Sequence, residues 1–323
     1  IHQLPQSQQD MMLSQLNEQQ VAELAEKSNV ETMKRFNERP GTVSNQYLHD
    51  LYRFFKLSVR KSEFRDIFKE KLDLHHVPAL DNILYWEDVL FPIADFYLAK
   101  ERWDEAIEIY EELESIGGFE GESAEYYQKF GYALQKRKKY AEAIQAYLKA
   151  DTLKPDNIWN NRHLAICYRL NRNYQAALTY YKKVEEAAPE DTNVTFYIGS
   201  CLAELGQYEE ALNYFFKLDF IENNCIKAWR GIGWCSFISQ KYEQAMKYYE
   251  KIIKQKPLAI DYMNAGHVAW VMGDIQKAAV FYGKAITASG NRERFLEMFH
   301  KDEESLLTQG IREEDIPLML DLL

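Results

Sequence analysis

KYAEAIQAYLKADTLKPDN (residues 139–157) returns, little altered, 34 residues on as NYQAALTYYKKVEEAAPED (173–191). It returns again as QYEEALNYFFKLDFIENNC (207–225) and KYEQAMKYYEKIIKQKPLA (241–259). A fixed period of roughly 20 to 50 residues signals a stacked array, because one such unit cannot bury its own apolar face. The quoted stretch reads as one amphipathic helix and its stop signal: proline cannot continue a helix, and Pro155, Pro189 and Pro257 close three of these segments.

Working outward from it, six units begin near Glu87, Ala124, Ile158, Thr192, Ile226 and Ala259, each predicted to be two short helices. One place in the first helix is always small: Ala94, Gly131, Ala165, Gly199, Gly233, Gly266. One place in the second is always alanine: Ala106, Ala143, Ala177, Ala211, Ala245, Ala278. Small residues there let the paired helices approach closely. A large residue stands three places before each alanine (Trp103, Tyr140, Tyr174, Tyr208, Tyr242, Ile275). Another stands four places after it (Tyr110, Tyr147, Tyr181, Phe215, Tyr249, Tyr282). Those spacings put both on one helical face.

The rest of the chain frames this array. Residues 1–40, rich in Gln, read as an N-terminal helix or linker. Residues 41–86 read as a degenerate helical hairpin, 87–290 as the six repeats, and 291–323 as C-terminal capping helices. The glycine-rich SIGGFEGES (115–123) lacks the ending of a phosphate loop and reads as a turn. The chain begins with Ile1, so it is expected to be a piece of something longer.

With 46% hydrophobic and 28% charged residues, 323 residues suffice for a packed core. A net charge of -11 argues against nucleic acid as a partner, which needs a basic footprint. No stretch approaches the roughly 18 apolar residues of a membrane span. Cys167, Cys201 and Cys235 occupy one place in successive repeats, which predicts buried thiols rather than disulfides or a metal site and suits a reducing, cytoplasmic setting. No spacing of His, Cys, Asp or Glu matches a metal or nucleophile motif, so no catalytic residue, metal or cofactor is expected and the chain is not expected to be an enzyme.

Trp229, Ile232 and Gly233, followed by Ala245, Tyr249 and Pro257, resemble the tetratricopeptide repeat. The resemblance spans residues 87–290 and implies an all-α, right-handed superhelical array of helix-turn-helix repeats. It also implies a concave groove, lined by first helices, that binds protein. Carried over unit by unit, the groove residues are Tyr132, Lys136, Trp159, Arg162, Arg169, Phe196, Lys227, Arg230, Trp234, Phe237, His267 and Trp270. Arginine and aromatic residues are those that carry binding energy at interfaces. The expected function is thus a non-catalytic scaffold holding a protein or peptide segment, acidic or extended. The alternative is a regulatory or substrate-positioning arm of a larger enzyme whose catalytic domain lies outside this chain. The tail REEDIPLMLDLL (312–323) has two readings: a cap on the last repeat, or a segment that docks in a groove and drives self-association.

Overall fold

The computed structural model describes residues 87–116 and 123–323. The segments expected at 1–40 and 41–86, and most of the glycine-rich turn, lie outside the described residues. Within them every regular element is a helix. The chain divides into two compact units, one up to Gly117 and one from Gly118. The first contains the hairpin α1 (Glu87–Ala99) and α2 (Trp103–Ile116).

The second unit holds five hairpins in succession. They are α3 (Ala124–Lys136) with α4 (Tyr140–Leu153), α5 (Ile158–Leu170) with α6 (Tyr174–Ala187), and α7 (Thr192–Glu204) with α8 (Tyr208–Ile221). Then come α9 (Ile226–Ile238) with α10 (Tyr242–Ile253), and α11 (Ala259–Val271) with α12 (Ile275–Ser289). Two further helices follow, α13 (Arg292–Thr308) and α14 (Asp315–Asp321).

Each hairpin closes by the same hydrogen bonds. The amide of the residue before each second helix donates back five residues into the first: Lys139 to Leu134, Asn173 to Tyr168, Gln207 to Leu202, Lys241 to Ser236, Asp274 to Ala269. The pattern needs one residue with positive φ. Glycine takes it at Gly206 and Gly273, whereas Lys138, Arg172 and Gln240 adopt it with a side chain. Side-chain caps start several helices: Ser123, Asn157 and Asp191 accept amide protons at the head of α3, α5 and α7. Such a cap contributes about 1 kcal/mol.

The small places receive rings. Tyr147, Tyr181, Phe215, Tyr249 and Tyr282 are all buried, as are the five alanines from Ala143 to Ala278 that precede them by four residues. The Tyr147 ring lies on Gly131, Phe215 on Gly199, Tyr249 on Gly233 and Tyr282 on Gly266, so closely that a Cβ at any of these glycines would meet the ring at 2.5 to 2.9 Å. In the first unit the residues at the same two places, Ala94 and Tyr110, are both buried.

The C-terminal helices fold back over the last two hairpins. Phe295 and Phe299 of α13 pack on Tyr282, with ring centroids 5.8 and 5.6 Å away. Phe299 also meets His267 of α11 at 5.4 Å. Further along, Gln309 accepts from the Tyr242 hydroxyl at 2.8 Å and donates to the Ile238 carbonyl at 3.3 Å, reaching the α9–α10 turn. Ile316 and Met319 of α14 are buried in the same core.

Candidate partner-binding face

Trp159 sits near the start of α5, at the seam with α3 and α4. Its ring lies 4.0 Å from His163, 6.1 Å from Tyr132 and 6.0 Å from Tyr147, and it stays 42% exposed. His163 Nδ1 donates to Gln135 Oε1 at 2.8 Å, and the Tyr147 hydroxyl donates to the same oxygen at 3.0 Å. Burial pushes the His163 pKa down to about 4, and the charges of Arg162 and Lys136 add to the fall. The imidazole is therefore neutral at physiological pH, a flat component of an aromatic cluster.

Cations stand over one ring of this cluster and over a ring of the next first helix. Lys136 Nζ stands 5.0 Å above the Tyr132 ring, and the Arg169 guanidinium lies 4.5 Å over Tyr197 of α7. Arg169 also donates to the Tyr181 hydroxyl at 3.4 Å. Phe196 is half-buried on α7 with Lys227 Nζ 5.8 Å from its ring. Lys227 is shared between Asn193 Oδ1 and Glu222 Oε1, each at 3.5 Å.

Two of the expected groove arginines fasten the array instead. Arg162 Nη1 meets Asp191 Oδ2 at 2.6 Å, tying α5 to the cap of α7. Burial alone would raise the Asp191 pKa; the hydrogen bonds from Arg162 and the Val194 amide outweigh it and hold the carboxyl below its usual range. Arg230 on α9 forms a two-point pair with Asp261 on α11, whose side chain is 1% exposed. These guanidiniums are spent on repeat-to-repeat contacts.

Three expected groove residues are corrected outright. Phe237, His267 and Trp270 are buried, at 1%, 1% and 6% exposure. His267 Nδ1 lies 2.8 Å from the Tyr282 hydroxyl, and its Nε2 faces Asp302 of α13 at 3.5 Å. The physical reason is the fold-back of α13, whose Phe299 covers His267; Phe237 stacks on that His267 ring, and Trp270 stands edge-on to Tyr282 in the same core. Trp234 is half-buried, 5.7 Å from Phe237 and packed on the same core. The residues left accessible run from Tyr132 and Lys136 through Trp159 and Arg169 to Phe196 and Lys227.

Sequence reasoning missed the partners Asp191 and Asp261. Both stand at the head of the following first helix, a position where an acidic residue reads simply as a cap.

Among the described residues no group of His, Cys, Asp and Glu could hold a metal ion, and no helix is long and apolar enough to cross a membrane.

Residues 90–116 and 124–157 match family models described as tetratricopeptide repeat. Residues 170–252 match the model of anaphase-promoting complex, cyclosome, subunit 3. No curated protein matches the chain. Among solved structures, a tetratricopeptide repeat protein from Parabacteroides merdae is 18% identical with a TM-score of 0.51, over 73% of this chain and 97% of that one. YrrB, described as a TPR protein with an unusual peptide-binding site, is 22% identical with a TM-score of 0.47, over 55% of this chain and 93% of that one. MamA protein is 20% identical with a TM-score of 0.48, over 53% and 93%.

Proposed function

We propose that this chain, which carries tetratricopeptide repeats, is a non-catalytic scaffold that holds a segment of another protein against α3, α5 and α7. The observation that carries this reading is Trp159. A tryptophan 42% exposed, backed by Tyr132 and His163, with Lys136 over the Tyr132 ring, is an anchor of the type that dominates protein interfaces. The neighbouring cations suit a partner segment that mixes apolar and acidic side chains. The face ends where Phe237, His267 and Trp270 are buried.

Site-specific photo-crosslinking tests it. A photoreactive residue in place of Trp159 is expected to capture a discrete protein, whereas one in place of Phe220, itself 89% exposed on α8, captures none. Equal capture at both positions, or capture at Phe220 alone, would overturn the assignment of the face.

A further inference from the structure

The last helix of the chain leaves an apolar stripe in solvent. On α14, Ile316 and Met319 are buried while Leu318 and Leu322 are 63% and 65% exposed. The two leucines are four residues apart and share one face of the helix. Glu313, Glu314 and Asp321 beside them are also exposed; Arg312 pairs with Glu314 at 2.7 Å and Arg292 bonds the Leu320 carbonyl, which leaves Glu313 and Asp321 as the rim carboxylates for a partner. Leu307 of α13 adds a third exposed leucine, at 41%.

The complementary chemistry lies at the other end of the second compact unit. The turn after α3 is a run of four cations, Lys136, Arg137, Lys138 and Lys139, all exposed. One repeat on, Arg169 and the exposed Arg172 flank the turn after α5. On a chain of net charge -11 this is a local reversal of sign; Lys136, over the Tyr132 ring, borders the exposed Trp159, whereas Arg169 stands about 15 Å further along α5.

We propose that α14 of one copy docks, leucines inward, on the Trp159 face of a second copy, its carboxylates meeting Lys136 and the cationic turn that follows it. Within one copy the two surfaces cannot meet. Ile316, Met319 and the Gln309–Tyr242 hydrogen bond hold the C-terminal helices on α9 to α12. Neighbouring packed helices are about 8 to 10 Å apart, so α7 and α9 place a gap on the order of 20 Å between α5 and that anchor. Both surfaces are already folded and exposed, so contact between copies needs no rearrangement. A contact between two different surfaces is head-to-tail: it propagates into open chains unless the rotation closes a ring. The inference rests on the reading of the Trp159 face given above and names its occupant.

Sedimentation velocity on the full chain tests it, across a wide concentration range at low and high salt. The wild type is expected to gain mass with concentration and to lose it with salt, since the rim pairs are exposed. A tail variant, Leu318→Asp with Leu322→Asp, and a face variant, Trp159→Ala with Lys136→Glu, are each expected to remain monomeric with unchanged helicity. Mixed together they should form a discrete one-to-one dimer that grows no further, because only one intact tail and one intact face are present. A wild type that stays monomeric throughout, or association that survives in both variants, overturns the proposal. Association lost in the face variant and kept in the tail variant overturns the tail as occupant and leaves the face standing. Association lost only in the tail variant overturns the docking onto Trp159.

Discussion

Arg230 and Asp261 join two consecutive hairpins by a two-point ion pair, with Nε–Oδ1 and Nη2–Oδ2 both 2.7 Å. Asp261 also accepts the Leu258 amide at 2.7 Å, so one carboxylate organises the start of α11 and its link to α9. Removing the arginine would leave that carboxylate buried and uncompensated. Arg230→Ala is expected to cost about 3 kcal/mol, at the low end of the range for breaking a buried pair because the guanidinium is partly exposed. Arg230→Ala combined with Asp261→Asn should cost less than the sum of the two single changes. Urea unfolding of the four proteins in a double-mutant cycle checks both statements.

Two helical glycines of the last hairpin, Gly266 and Gly283, should respond to alanine in opposite directions. At Gly266 a Cβ would stand 2.5 Å from Tyr282 Cε1, and the ring, buried under Phe295 and Phe299, has nowhere to go. Gly266→Ala should therefore destabilise by about 1 to 3 kcal/mol. At Gly283, inside α12, nothing lies within 4 Å of a Cβ. There the substitution removes only backbone freedom from the unfolded chain and should stabilise by roughly 0.5 to 1 kcal/mol. Thermal or urea melts that moved in the same direction would contradict the ring-on-glycine account.

His163 makes stability depend on pH. Its folded-state pKa is depressed to about 4 from an ordinary 6.5, burial being the main cause and the cations Arg162 and Lys136 contributing. The unfolded chain thus takes up a proton before the folded one does. The contribution is fully present above about pH 6.5 and is lost progressively as the pH falls toward 4. Unfolding free energies of wild type and His163→Gln should converge across that window, the wild type losing more as acid is added. NMR titration of the imidazole gives the pKa directly, and an ordinary value near 6.5 would refute the prediction.

The thiols should report on opening of the array. Cys167, Cys201 and Cys235 are buried, and desolvation pushes their pKa values up to about 12, 11 and 12. Thiolate is the reactive form, so these three should resist an aromatic disulfide reagent at neutral pH until the helices separate. Cys225 lies just before α9 with Sγ 3.1 Å from Glu222 Oε2, and is also held in the thiol form by burial. Its position at a helix start lets it emerge by local fraying, so it should react first. Four equal rates would argue against this ordering.

Much of the array was legible because its determinants are local and recur. An alanine flanked by large residues three places before and four places after it, and a small residue at the facing place of the first helix, act within one hairpin. The period repeats the message, so each helical pair follows from its own segment of sequence. The candidate face for a partner was legible only in part. Trp159, Tyr132, Lys136 and Arg169 are accessible, as their first-helix places suggested. Arg162 and Arg230 are held by aspartates 29 and 31 residues further on, outside any local pattern.

What the sequence determined by itself is therefore the repeating unit: helix pairs, their close approach and their burial of ring on glycine, all set by side-chain size at fixed spacing. What only the tertiary structure decided is which equivalent places remain open. Phe237, His267 and Trp270 occupy places whose equivalents in earlier repeats, such as Arg169 and Tyr132, stay half-buried, yet they are buried: α13 and α14, which repeat nothing, fold back over the last hairpins, Phe299 covers His267, and Phe237 stacks on His267. Burial is a property of what arrives from elsewhere in the chain, and a period carries no information about a segment that does not share it.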